Sequence, residues 1–168
     1  MQLLALFVFL TLPIFAHQIA VVSDQPETIL SVLEKEGIAD ALFLPVSNQS
    51  IFALIEKAAT LAPVVLNTLG PLDERTCEMM ALHATAAFVS VEMPGYHCHA
   101  ENLLLVHAMY WKNQAAAFTA ANLLQFSADN PQLSGRQLVY QFSHRFVYFL
   151  DRIKIFLNSN IIAVQQKY

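Results

Sequence analysis

Residues 64 to 92, VVLNTLGPLDERTCEMMALHATAAFVSVE, decide how this chain folds. Val64 to Leu69 is a short apolar run introduced by Pro63, and Ala87 to Glu92 is a second run rich in β-branched and aromatic residues. Between them, from about Asp73 to His83, apolar and charged residues recur at helical spacing. A strand, a helix and a strand in that order form a βαβ unit. Upstream the same alternation repeats. Ile19 to Ser23 is β-branched, Pro26 opens a segment whose Ile29, Leu30, Val32 and Leu33 share a helix face, and Gly37 stops it. Ala41 to Val46 reads as another strand, and Ile51, Leu54, Ile55 and Ala58 as another amphipathic helix. Continuous apolar strands separated by helices belong to a parallel sheet covered on both faces. The expectation is therefore an α/β lobe with a parallel four-stranded sheet flanked by helices. Its strand carboxyl ends fall at Asp24 to Pro26, Val46 to Ser50, Gly70 to Glu74 and Met93 to His107, the edge where such sheets bind ligands.

After Glu101 the character changes. Ala108 to Phe126 is Ala-rich and helical, Asp129-Asn130-Pro131 breaks it, and a second long helix runs from about Arg136 to Leu157. Ile161 to Val164 then starts a strand with few residues left to pair with. Three units follow: 1–16 as a signal peptide, 17–107 as the α/β lobe, and 108–168 as two long C-terminal helices with a truncated final strand.

The leader reading rests on Met1 to Ala16, MQLLALFVFLTLPIFA, which has no charged residue and whose apolar run is ended by Pro13. That run is too short for the roughly 20 residues a membrane span requires and suits a signal of about 7–15. It places the mature chain in the periplasm with no membrane span; an uncleaved anchor or a buried first strand is the alternative. With net charge −4 and nine scattered Lys and Arg residues, the chain lacks the basic stripe of a nucleic-acid binder. In an oxidising compartment Cys77 and Cys98 can pair, or remain two separate thiols.

Three of the six histidines fall close together: His97 and His99 within Gly95-Tyr-His-Cys-His-Ala-Glu101, and His107 after Leu105-Val106. Neutral imidazole is the commonest zinc ligand, and Cys98 or Glu101 can add a thiolate or carboxylate. The structural alternative for His107 is a helix-start residue bonded to backbone. No Gly-x-Ser-x-Gly turn and no phosphate-cradling glycine loop occurs, and the chain has only four glycines, so no enzyme is expected.

Taken together these segments resemble the periplasmic solute-binding proteins of zinc and manganese ABC transporters. The carriers of the resemblance are Ile19 to Pro26, Ala41 to Pro45, Val64-Val65-Leu66-Asn67-Thr68-Leu69-Gly70, and His107 followed by the Ala-rich helix, the Asp129-Asn130-Pro131 break and the long helix. It implies a first α/β lobe plus the helix that joins two lobes, with His107 as a metal ligand and His97 and His99 as the remnant of a His-rich loop. The sequence departs from the family where Met109-Tyr110-Trp111-Lys112 replaces Trp-Leu-x-Pro and where Val46 to Ser50 has no histidine. Gln165 stands in the place of a ligand histidine, and the second lobe is missing. The implied function is an exported zinc- or manganese-binding protein of an ABC-type uptake system, in shortened form. Its candidate ligands are His107, His99, His97 and Glu101. Its expected partners are an ABC permease or a second copy, through a helical face carrying Phe142, Phe146, Phe149 and Phe156. The alternatives are an exported interaction domain that binds no metal and a fragment of an interrupted gene.

Overall fold

A computed structural model describes residues 18–93, 98–108, 110–156 and 162–165. The leader, residues 1–16, and His97 lie outside the described residues, as do the side chains of Phe146, Phe149 and Phe156.

The first strand, β1 (Ile19–Val22), is buried along its whole length. It leads into α1 (Pro26–Lys35), whose first turn combines Pro26 with Glu27, as the helix dipole favours. Then come β2 (Ala41–Leu44) and α2 (Ile51–Leu61), capped by the Ser50 hydroxyl, which accepts from the Ala53 amide at 3.2 Å. They are followed by β3 (Val64–Asn67), α3 (Glu74–Leu82) and β4 (Ala87–Val91). Next is β5 (Leu103–Ala108), then α4 (Lys112–Asp129), α5 (Gly135–Phe156) and β6 (Ile162–Gln165).

The strands form one sheet in the order β2-β1-β3-β4-β5-β6. The first five are mutually parallel, and β6 pairs antiparallel to β5, with His107 opposite Ala163. The α/β class and the helix-flanked parallel sheet agree with the sequence reading, but the sheet has five parallel strands rather than four. The addition is β5, which takes up the end of the segment Met93 to His107 expected to be an edge loop and runs on to Ala108. Its Leu103-Leu104-Leu105-Val106 run is buried, and a short apolar run without a turn signal does not distinguish strand from helix. The final strand finds its partner because α5 carries the chain back alongside β5.

Each strand alternates its side chains between two cores. One core, on the α1 and α4 side, gathers Ile19, Val21, Leu66, Val89, Leu104 and Val106 with Ile29, Leu33 and Leu138. The other gathers Ala20, Val22, Val65, Phe88, Leu103 and Leu105 with Leu54, Ile55, Cys77 and Met80 of α2 and α3. Rather than simply following the lobe, α4 belongs to the first core. It packs on β3, β4, β5 and α1, and α5 covers it from the side. Ala115, Ala116, Ala117, Ala120 and Ala121 are all buried, and a helix so enclosed needs small side chains on most of its circumference. Phe142 is also buried, at 5 % exposure, with its ring 5.8 Å from that of Phe126. It therefore belongs to the core and not to the exposed aromatic patch expected of it.

The connection from β4 to β5 runs from the carboxyl edge of the sheet back to its amino edge, and its described residues are tied to the rest of the fold by several contacts. At the start, the Glu92 amide donates to the Val106 carbonyl at 2.9 Å. In the middle, Cys98 forms a disulfide with Cys77 of α3, their Cα atoms 5.6 Å apart, which settles the pairing the sequence left open. At the far end, the fully buried Asn102 amide donates to the carbonyls of Met80, His83 and Ala86 at 2.7–3.1 Å. No described helix is long and apolar enough to cross a membrane.

Candidate functional site at the carboxyl edge of the sheet

Parallel strands place their carboxyl ends on one edge, and the order β2-β1-β3-β4-β5 reverses direction between β1 and β3, where such sheets open a ligand crevice. Buried polar residues collect there. Thr68 donates to Ser23 at 2.7 Å, and the Ser23 hydroxyl also accepts from the Gln25 amide at 3.0 Å. Asn67 donates to Ser90 at 3.0 Å and to the Leu69 carbonyl at 3.1 Å, while its own Oδ1 accepts from the Leu69 amide. Without these bonds each polar group would carry a desolvation cost of about 1–3 kcal/mol. The network therefore holds the ends of β1, β3 and β4 in register.

One pleat beyond the Asn67–Ser90 pair stands the most chemically informative contact. Strand alternation puts Asn67, Ser90, Glu92 and His107 all on the α2 and α3 face. Val91 and Val106 are paired in register, so Glu92 and His107, one residue further along, fall side by side. The His107 Nδ1 lies 3.2 Å from Glu92 Oε2. The side chains are 57 % and 16 % exposed, so a largely covered carboxylate holds an open imidazole. In the neutral ring, an Nδ1–H donated to Oε2 leaves the Nε2 lone pair facing outward. This carboxylate–imidazole pairing is the arrangement that orients histidine ligands in metal sites. Below the pair a shallow pocket is lined by Pro71, Leu72, Val91, Glu92, Met93, Cys98 and Leu105.

The other expected ligands are not assembled around His107. Glu101 is exposed beyond the amino end of β5 and pairs with Arg136 at 3.4 Å. Four strand steps from Leu103 to His107 already span about 13 Å, too far for one ion to be shared. His99 is exposed on the β4–β5 connection. Cys98 is committed to its disulfide and supplies no thiolate. Among the described residues no group of three or more His, Cys, Asp or Glu side chains converges on a point. His107 itself sits on β5 rather than at a helix start. Glu92, its partner, escaped the sequence reading, although the alternation of Ser90 and Glu92 in an otherwise apolar strand was a visible sign of a polar face.

Trp111 adopts the left-handed region at φ 54°, unusual for a bulky residue, and both Tyr110 and Trp111 are exposed. Close by in sequence, Asn113 donates to the Gln25 side chain at 3.0 Å. Compared with known proteins, the chain matches no family model, no curated protein and no solved structure.

Proposed function

We propose that the chain is an exported metal-ion-binding lobe of the zinc- and manganese-uptake type, in which His107 supplies the imidazole ligand. The observation that carries this reading is the Glu92–His107 pair, which directs Nε2 outward at the edge where an α/β sheet receives its ligand. The doubly wound lobe and the long α5 agree with it at the level of fold. A closed zinc site takes four protein ligands and an open one three. With His107 the one imidazole placed here, the rest of the shell falls to water or to groups outside the described residues, and binding is correspondingly weak. Of the residues the sequence put forward, the proposal takes His107 as the ligand and leaves out Glu101, which pairs with Arg136. A permease as partner remains part of this proposal.

Calorimetric titration of the mature chain with Zn²⁺ and Mn²⁺ tests the reading. Saturable binding is expected for one of the two ions and is abolished by His107→Ala. Glu92→Gln weakens it by about 10–100-fold, the usual cost of losing the partner that orients a ligand. Binding of unchanged strength in His107→Ala, or no saturable binding at all, overturns the assignment.

A further inference from the structure

We propose that the ion held at His107 is a soft monovalent one, Cu(I) or its analogue Ag(I), with the thioether of Met93 as a second ligand. The inference rests on the reading of His107 as a metal ligand and changes the class of ion. It is carried by what lines the pocket beneath the Glu92–His107 pair. Leu105, two residues before His107 on the same face of β5, forms one side of that pocket. Val91 at the end of β4, and Glu92 and Met93 just past it, form another. Met93 is half-buried and therefore stands in the same hollow as the carboxylate that orients the imidazole. Cys98, the other sulfur in the lining, is spent in its disulfide with Cys77.

Donor chemistry and charge then select the ion. Zinc is held by Cys, His, Asp and Glu acting together, and manganese by a shell of oxygen donors. Among the described residues no group of three or more His, Cys, Asp or Glu side chains converges, and Pro71, Leu72, Val91 and Leu105 give the pocket hydrocarbon walls. A thioether is a soft donor that selects Cu(I) over either divalent ion. Cu(I) and Ag(I) form stable complexes of low coordination number, so one imidazole and one thioether serve them where they do not serve zinc. Charge favours the same choice. The Glu92 carboxylate, 16 % exposed, brings one negative charge to the pocket. A monovalent ion is balanced by it, whereas a divalent ion leaves net charge against apolar walls and carries a desolvation cost.

The test titrates the full mature chain with silver nitrate in chloride-free buffer, silver being a probe that undergoes no redox change, and separately with Zn²⁺. Calorimetry reads the affinities, and the ¹³C-methyl resonance of Met93 reads the site. Ag(I) is expected to bind saturably and more tightly than Zn²⁺, and the Met93 methyl to shift as it does so. Met93→Leu keeps the volume of the side chain and removes the sulfur. It should weaken Ag(I) binding by about tenfold or more and leave any zinc affinity unchanged. His107→Ala, at an exposed position, should weaken Ag(I) binding to a similar degree. Unchanged Ag(I) affinity in Met93→Leu, a Met93 methyl that does not shift, or zinc binding tighter than silver overturns the proposal. If zinc binding depends on His107 while silver ignores Met93, the inference fails and the reading of His107 as a metal ligand stands. If neither ion responds to His107→Ala, both fail. Silver binding that needs both side chains, with no saturable zinc binding, upholds the inference and removes the zinc and manganese assignment.

Discussion

Gly135 opens α5 at a point where the helix passes directly over the turn before β4. A Cβ at that position overlaps the Ala86 carbonyl and comes within 3.2 Å of the Ala84 carbonyl oxygen, while the Gly135 amide donates to Ala84 at 3.0 Å. The obstruction is backbone on both sides, so no side chain can swing aside. Gly135→Ala is expected to lower unfolding free energy by about 2–3 kcal/mol despite the better helix propensity of alanine, as overpacking against an immovable neighbour does. Gly70→Ala is the control, because a Cβ there meets only Ile51 Cδ1 at 3.8 Å, and its change should stay within about 0.5 kcal/mol. Urea denaturation of the two variants reads the contrast. The need for glycine at 135 was invisible in the sequence, since it arises from a contact with residues some fifty positions away. His107 was legible by its residue type and neighbours. Its partner Glu92 was not, because their alignment depends on the register of a strand the sequence did not reveal.

Among the elements, α3 has the clearest electrostatic signature. Asp73 caps it, its Oδ1 accepting from the Thr76 amide at 2.7 Å. Hydrogen bonding by the Thr76 side chain and then by its amide, with the neighbouring Arg75 charge, holds the carboxyl below its usual 3.8. A carboxyl more acidic in the folded chain than in the unfolded one stabilises the fold above pH 3.8 and loses that contribution as pH falls through the folded value. Asp73→Ala should therefore lower the urea midpoint at pH 7, and the gap from the parent should close progressively as pH drops below 3.8. Asp73→Asn keeps a capping oxygen and should retain most of the stability at neutral pH without the acid dependence. A gap that persists unchanged at pH 2.5 assigns the loss to packing instead of the cap. The helices were the more legible elements, because Pro26, Gly37, Asp73 and the Asp129-Asn130-Pro131 break mark their ends with local chemistry. The strand β5 carries no such punctuation, and leucine favours helix as readily as a buried strand.

At the scale of the whole molecule, α5 and β6 decide whether the sheet ends on β5 or one strand beyond it. The backbone of β5 bonds to β4 on one side and to β6 on the other, which makes it an interior strand despite its late place in the chain. That arrangement also shields the strand carrying His107. An exposed edge presents unpaired N–H and C=O groups that template association with other chains, and β5 would be an apolar edge of Leu, Val and Ala. Removing residues 158–168 should leave both cores intact, because their described residues lie at or before Phe142. The amides of β5 that face β6 should then lose exchange protection while those of β1 and β3, at the centre of the order, keep theirs. Loss of protection throughout the sheet would mean instead that β6 holds the fold together globally. The shortened chain should also self-associate with concentration as β5 becomes an edge. If it does so while the full chain remains monomeric under the same conditions, the antiparallel strand acts as a cover over that edge. Equal association of the two chains would place the contact elsewhere, since β2, the opposite edge, is unchanged between them.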